Sequence, residues 1–130
     1  MSEKIVNLTG HDLNISGVLI KAERDRFPAR CYERITDLGE FSGVPLVVKE
    51  YGRVVGLPDP RPGTIYVVSN IVRLAFPERD DLASPGRKMV DHRGNLLGAM
   101  NLVVNPSRLK RVQAAATQEV LGSDTLDEDD

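Results

Sequence analysis

Residues 52–87 read GRVVGLPDPRPGTIYVVSNIVRLAFPERDDLASPGR, and this stretch decides the fold. Its prolines at positions 58, 60 and 62 remove three backbone donors within five residues, so the chain forms a stiff loop there. Residues 64–68 are a β-branched and aromatic run, which is typical of a strand buried on both faces or at the centre of a sheet. Ser69 then offers a helix N-cap, and Pro77 ends a short helix. The stretch therefore predicts a buried strand that runs directly into one short internal helix.

Short apolar segments separated by turn residues precede this stretch. In chain order they lie at residues 4–8, 12–15, 18–20, 29–35, 44–51 and 53–55. The first two are joined around Gly10, which predicts a hairpin or a tight bend. The pattern of residues 29–35 is ambiguous. The last two segments look like strands, and Gly52 between them predicts a bulge or a turn.

The segments after this stretch predict more strands and then a helix. A Pro-Gly turn at residues 85–86 leads into a strand at 87–90. Residues 91–95 connect that strand, as a hairpin, to one long strand at 96–104. Pro106 and Ser107 then begin a C-terminal helix that runs through Leu121. The sequence therefore predicts an α+β fold with a mostly antiparallel β-sheet, one short internal helix and a C-terminal helix.

The charge of the chain is unevenly distributed. Residues 122–130 hold five of the 19 acidic residues and no basic one, which predicts a disordered, solubilising tail or else an interaction tail. Residues 1–121 hold the other 14 acidic residues and all 17 basic ones, a net charge of +3, and are expected to form a single domain. This excess is too small and scattered for duplex nucleic acid, which favours a basic stripe, but it suits a small anionic ligand.

Cysteine usage and hydropathy indicate the compartment. Cys31 is the one cysteine of the sequence, so no internal disulfide can form and no Cys/His spacing indicates structural zinc. The N-terminus has no apolar run of signal length, and no segment approaches the roughly 20 apolar residues that span a bilayer. We therefore expect a cytoplasmic protein with no membrane partner.

Motifs that carry chemistry are missing from the sequence. There is no nucleophile elbow, phosphate loop, metal-ligand spacing or dinucleotide fingerprint, so binding is favoured over catalysis, with no cofactor and no metal. Two adjacent carboxylates, Asp80 and Asp81, beside Arg79 suggest a cation or sugar site. A solvated loop with a local Arg/Asp pair explains the same residues, and no third carboxylate is evident.

A set of polar and aromatic residues near turns forms the predicted ligand site. Arginines beside Gly or Pro turns are suited to an anion, and a tyrosine ring offers a surface on which a base stacks. Histidine beside other polar groups offers an acid, a base or a ligand. Turn chemistry and surface solubility explain the same residues without a ligand. The predicted ligand-binding residues are Asn7, Thr9, His11, Arg30, Tyr66, Ser69, Arg79, Asp80 and Arg87.

Three motifs resemble a family of small uncharacterised proteins of bacteria, prophages and tailed phages. They are NLTGH at residues 7–11, GLPDP at 56–60 and GTIYVVS at 63–69, and the likeness covers roughly residues 4–100. The related pattern usually has proline where this chain has Gly10. The resemblance implies a phage or prophage accessory gene acting in the host cell cytoplasm, with host takeover, defence evasion or a virion function as its role. It implies no activity.

Three functions from different classes follow. The first is a non-enzymatic accessory protein that binds and sequesters a small anionic, nucleotide-like ligand, in evasion of host defence. The second is a protein that binds a host factor or copies of itself in a virion or ring, since exposed strand edges favour homo-oligomers. The third is a small hydrolase that uses His11 with Asp80 or Asp81.

Overall fold

The computed structural model describes residues 3–111, and the fold is stated for these residues. The elements in chain order are β1 (Lys4–Asn7), β2 (Leu13–Ile15), β3 (Val18–Ile20), β4 (Arg30–Phe41), β5 (Val44–Val55), β6 (Thr64–Val67), α1 (Asn70–Ala75), β7 (Leu82–Pro85), β8 (Lys88–Val90), β9 (Leu96–Ala99) and β10 (Leu102–Val104). A second helix begins at Ser107, and its described part covers residues 107–111.

The first sheet has the strand order β1-β6-β7-β10, and β1, β6 and β7 contribute residues to the core. Strand β6 pairs in parallel with β1 on one side and β7 on the other, while β10 runs antiparallel to β7. Tyr66, Val67 and the following Val68 are buried, as their β-branched and aromatic composition predicts. The core cluster consists of Val6, Leu8, Ala29, Tyr66, Val68, Val72 and Leu82.

Helix α1 follows β6, and residues next to it determine where it begins and ends. The Ser69 hydroxyl accepts a hydrogen bond from the Val72 amide at 3.3 Å, which caps the first turn. Phe76 is the C-cap, and Pro77 directly after it cannot continue the helix. Val72 turns into the core, so the helix covers the first sheet. The predicted N-cap and helix end are confirmed.

The second sheet has the order β3-β2-β9-β8. Two hairpins, β2–β3 and β8–β9, meet at one parallel bridge between Ile15 and Ala99. A Cβ atom at Gly98 would clash with the backbone oxygen of Asn14, so glycine is needed where the two hairpins approach.

The third sheet contains only β4 and β5, an antiparallel hairpin with twelve residues in each strand. The strands pair from Arg30 opposite Val55 to Phe41 opposite Val44. Cys31 and Val54, near the open end, pack against the core cluster. Every residue from 32 to 53 is exposed. We call residues 30–55 the arm.

The fold class is confirmed as α+β, and four of the seven strand pairings are antiparallel. The ambiguous segment 29–35 lies largely in β4, and the predicted irregularity at Gly52 is confirmed within β5 by a register shift. The β8–β9 hairpin is confirmed at residues 91–95. None of the helices found in residues 3–111 is long and apolar enough to cross a membrane.

One strand prediction is wrong. The long strand at 96–104 is two strands, because the chain leaves the second sheet after Ala99 and enters the first at Leu102. Of the two alternatives for the link between segments 4–8 and 12–15, the tight bend is confirmed. The hairpin does not form, because β1 pairs with β6 and β2 pairs with β3. The predicted continuation of the C-terminal helix beyond Arg111 and the predicted disordered tail at 122–130 lie outside the described residues.

Candidate functional site

The arm concentrates the exposed apolar side chains of the protein. Nine of the twenty large exposed hydrophobic residues within residues 3–111 lie on its 26 residues. They are Tyr32, Ile35, Leu38, Phe41, Val44, Leu46, Val47, Val48 and Tyr51. Clustered exposed apolar residues typically mark interaction surfaces, whereas single ones are normal. The arm is therefore the leading candidate for a functional surface.

One face of the arm is apolar over its outer half. Opposite residues of an antiparallel pair share a face, and successive residues along a strand alternate between faces. The register places Phe41 opposite Val44, Gly39 opposite Leu46, and Thr36 opposite Val48 on one face. We call Phe41, Val44, Leu46 and Val48 the apolar stripe. Their exposed fractions lie between 38% and 72%, with no charged residue among them.

The opposite face of the arm mixes apolar and charged side chains. Ile35 lies opposite Lys49, and Glu33 lies opposite Tyr51. The Lys49 ammonium is 3.7 Å from the Glu33 carboxylate, and both side chains are more than 40% exposed. Such an exposed pair contributes little to stability. We call this surface the mixed face.

Both outer edges of the arm lack strand partners among the described residues, because the third sheet has two strands only. An isolated two-stranded hairpin is at best marginally stable in water, and unpaired edges invite another chain. Pro45 on β5 removes one donor from its edge, and register shifts near Gly52 and Leu38 interrupt the ladder. A surface of this kind is typical of an element that is covered in its working state.

The bend after β1 brings four of the predicted ligand residues together. The buried Asn7 amide donates to the backbone oxygens of His11 and Ile20, at 2.8 and 2.9 Å. Its Oδ1 accepts from the Thr9 amide and hydroxyl, at 2.9 and 2.7 Å. His11 is exposed, and a Cβ atom on Gly10 would lie 3.3 Å from Arg30 Nη2. Asn7 and Thr9 thus shape the bend, while His11 and Arg30 present free ends to solvent.

Two other predicted residues lie beneath the proline-rich loop. Arg79 donates from Nε and Nη2 to the Asp81 carboxylate, at 2.7 and 2.8 Å, and from Nη2 to the Pro58 oxygen at 3.0 Å. The hydrogen bond to Asp81 raises the pKa of Arg79, against the opposing effect of burial. The Tyr66 hydroxyl donates to the Asp59 oxygen at 3.4 Å. These contacts anchor the loop onto β6.

The remaining predicted residues are separate from both groups. Ser69 caps α1, and the Arg87 amide donates to Asn101 Oδ1 at 3.2 Å on the way into β8. Asp80 Oδ2 lies 3.1 Å from Arg111 Nη2. Across residues 3–111, no hydrogen bond or ion pair joins His11 to Asp80 or Asp81, and no group of three His, Cys, Asp or Glu residues is placed to hold a metal ion.

Sequence reasoning missed a buried polar network around Arg73. Arg73 is 8% exposed, and its guanidinium donates to Ser84 Oγ, Asn105 Oδ1 and Asn70 Oδ1, at 2.8, 2.9 and 2.7 Å. None of the ion pairs found in the described chain includes Arg73, so neutral oxygens hold its charge. An arginine in the otherwise apolar helix IVRLAF was the available signal. We interpret the network as a brace between α1, β7 and residue 105.

Sequence reasoning also missed the apolar stripe. The alternation of Val44, Leu46 and Val48 predicts one apolar strand face. It does not reveal that this face is left uncovered.

The fold and the arm together define a small α+β protein that presents one long hairpin. In comparisons with known proteins, no family model, no curated protein and no solved structure matches the chain. The arm and the bend are therefore the two features that bear on its function.

Proposed function

We propose that this is a non-enzymatic binding protein that associates with other protein chains, in the first place copies of itself, through the arm. The observation that carries the proposal is the exposure of apolar side chains on both faces of a hairpin with two free edges. Such a surface favours association, because water solvates it poorly. The resemblance to phage and prophage proteins favours a virion or ring assembly, or a host factor as a further partner.

The size of the stripe limits how much it contributes to association. Full burial of one Val, Leu or Phe side chain contributes roughly 1.5–3 kcal/mol, so four half-exposed residues contribute on the order of 3–6 kcal/mol. Losing the freedom of a separate molecule costs roughly 4–15 kcal/mol. The stripe alone is thus at best balanced by this cost. The contact must also bury apolar side chains of the partner, which add a gain of the same kind.

A shortened arm tests the proposal. Arg34 and Glu50 are opposite each other in the register, so Asn-Gly in place of residues 35–49 joins them by a two-residue turn. Cys31 and Val54, which pack against the core, stay in place. We expect sedimentation velocity to show an oligomer for the full chain and a monomer for the shortened variant, with circular dichroism confirming that the variant is folded.

Two results would overturn the proposal. One is a full chain that stays monomeric up to roughly 100 µM, a concentration at which weak association is detected. The other is a folded, shortened variant that still forms the oligomer of the full chain. Should the shortened variant misfold, Val44→Thr with Leu46→Thr tests the same surface, because threonine keeps the strand preference and removes apolar contact.

A second candidate function is capture of a small anionic, nucleotide-like ligand at the bend. The observation that favours it is the exposed Arg30 guanidinium, which lies over Gly10 beside the exposed His11. A ligand bound there raises the unfolding temperature, because it binds the native state only. We expect Arg30→Ala to remove such a nucleotide shift and Arg34→Ala, on the exposed arm, to keep it. If no nucleotide of a panel raises the unfolding temperature, this function is contradicted.

A further inference from the structure

The second sheet carries an apolar groove of about 420 Å³. Its apolar lining includes Leu13, Ile15, Leu19, Leu96, Leu97 and Ala99. Leu19, Leu96 and Leu97 are each at least half exposed, so the groove is open to a partner. Two charged residues, Asp12 and Lys88, also line it.

We propose that the apolar stripe of one copy docks into the apolar groove of a second copy. This inference rests on the proposed function and names the surface that receives the arm. A two-stranded ribbon is narrow, since its strands lie roughly 5 Å apart, and it projects from the body of the protein. A narrow apolar ribbon can enter an apolar groove, whereas two ribbons laid face to face would leave both grooves exposed to water.

The charges at the two surfaces are complementary. The stripe face continues toward the body with Arg34 and Glu50, which are opposite each other and two residues from Thr36 and Val48. The groove offers Asp12 and Lys88. Asp12 is held by Arg24 at 3.3 Å, whereas no ion pair within residues 3–111 includes Lys88 or Glu50. The proposal therefore pairs Glu50 of one copy with Lys88 of the next.

The docking joins two different surfaces, and every copy carries both, one apolar stripe and one apolar groove. Contacts of this kind close into a reciprocal dimer or a ring, or extend as a filament. Each copy then takes part in two arm contacts, one through its own arm and one through its groove.

A mixing experiment tests the docking. The stripe variant carries Val44→Thr and Leu46→Thr and keeps its groove, and the groove variant carries Leu97→Lys and keeps its arm. We expect each to be monomeric alone by native mass spectrometry. Mixed in equal amounts, they should form a one-to-one dimer, because one intact arm meets one intact groove. Control variants are Val47→Thr on the mixed face and Val90→Lys on the same sheet outside the groove, and both should assemble like the unmodified chain.

A charge exchange tests the proposed pair. Glu50→Lys and Lys88→Glu should each weaken association about tenfold or more, which corresponds to the loss of roughly 1.4 kcal/mol. The double variant should recover most of the affinity, because the pair is restored with reversed signs.

The outcomes separate this inference from the proposed function. If the shortened arm abolishes assembly while the groove variant assembles normally, the docking is wrong and the proposed function stands. Two variants that are monomeric alone and stay monomeric when mixed also overturn the docking, since an intact arm then fails to associate with an intact groove. If the full chain is monomeric, both are wrong. Each variant is compared by circular dichroism and thermal unfolding, and Leu97→Ala replaces Leu97→Lys if the lysine prevents folding.

Discussion

At the scale of single residues, polar side chains of the types that bind ligands hold loops in place. Asn105 is 2% exposed and donates to the backbone oxygens of Arg73, Phe76 and Arg79, at 3.3, 2.9 and 3.0 Å. Its own oxygen accepts from the Arg73 guanidinium. One amide therefore binds the end of α1, the loop after it and the buried cation.

We predict that Asn105→Ala lowers the free energy of unfolding by roughly 2–5 kcal/mol, because it leaves buried polar groups unpaired. Urea unfolding followed by circular dichroism measures the change. Asn95→Ala is the control, since Asn95 is exposed in a hairpin loop and its loss should cost less than about 1 kcal/mol. A loss at Asn105 no larger than that at Asn95 would show that the network contributes little.

The loop between β8 and β9 predicts a pH effect at Asp91. Its Oδ1 accepts from the amides of Asn95 and Arg93, both at 2.8 Å, and its Oδ2 accepts from Asn95 Nδ2 at 3.0 Å. These hydrogen bonds lower the pKa of Asp91 below its ordinary value of 3.8, and the bond from the Asn95 backbone amide has the largest effect. Because the folded pKa is the lower one, the carboxylate stabilises the loop above pH 3.8 and loses this effect as the pH falls through the folded pKa.

A nuclear magnetic resonance titration of the Asp91 carboxyl carbon checks this prediction. We expect its midpoint below that of the chain unfolded in urea. Hydrogen exchange of the loop amides should also change over this pH range in the unmodified chain. In Asp91→Asn, this change should be absent. A folded midpoint at or above 3.8 would contradict the prediction.

At the scale of elements, two hairpins turn in the same way. Ser16-Gly17 joins β2 to β3, and Ser42-Gly43 joins β4 to β5. All four residues have positive φ angles, between 51° and 91°. This matches type I′ turns, whose twist suits the strands on either side.

We predict that Gly43→Ala loosens the tip of the arm and leaves the body of the protein unchanged. A positive φ costs an alanine roughly 1–2 kcal/mol, and the tip makes no contact with the core cluster. Amide exchange of Phe41 and Val44 should accelerate by about five- to thirtyfold, while that of Tyr66 stays the same. Ser42→Asn is the opposing variant, because asparagine is preferred at this position, and it should slow the same exchange.

At the scale of the whole molecule, the body and the arm differ in what stabilises them. The first sheet has a core cluster beneath α1, whereas within residues 3–111 only Cys31 and Val54 of the arm pack against that core. The stability of the arm therefore depends on what covers it, so the protein should be more stable when assembled.

We predict that the unfolding temperature rises by several degrees when the protein concentration is increased about a hundredfold, because association stabilises the folded chain by mass action. Differential scanning calorimetry measures this rise. The shortened-arm variant is the control and should unfold at one temperature throughout. Equal behaviour of the two proteins would mean that assembly through the arm does not contribute to stability.

Local signals in the sequence were sufficient for several elements. Strand β6, the Ser69 cap, the end of α1 at Pro77 and the irregularity at Gly52 were all predicted, because β-branched runs, caps and prolines act over a few neighbouring residues. The α+β class followed from the order of such elements.

The tertiary structure decided the rest. The split of residues 96–104 between two sheets depends on partners far away in the chain, and so does the position of Arg73 beside Ser84 and Asn105. Alternating apolar residues at 44, 46 and 48 indicate one apolar strand face, a pattern that sequence reasoning missed, but whether that face is covered depends on which segments pack against it. Burial is a property of the folded chain, whereas caps, turns and strand preference belong to short stretches of sequence.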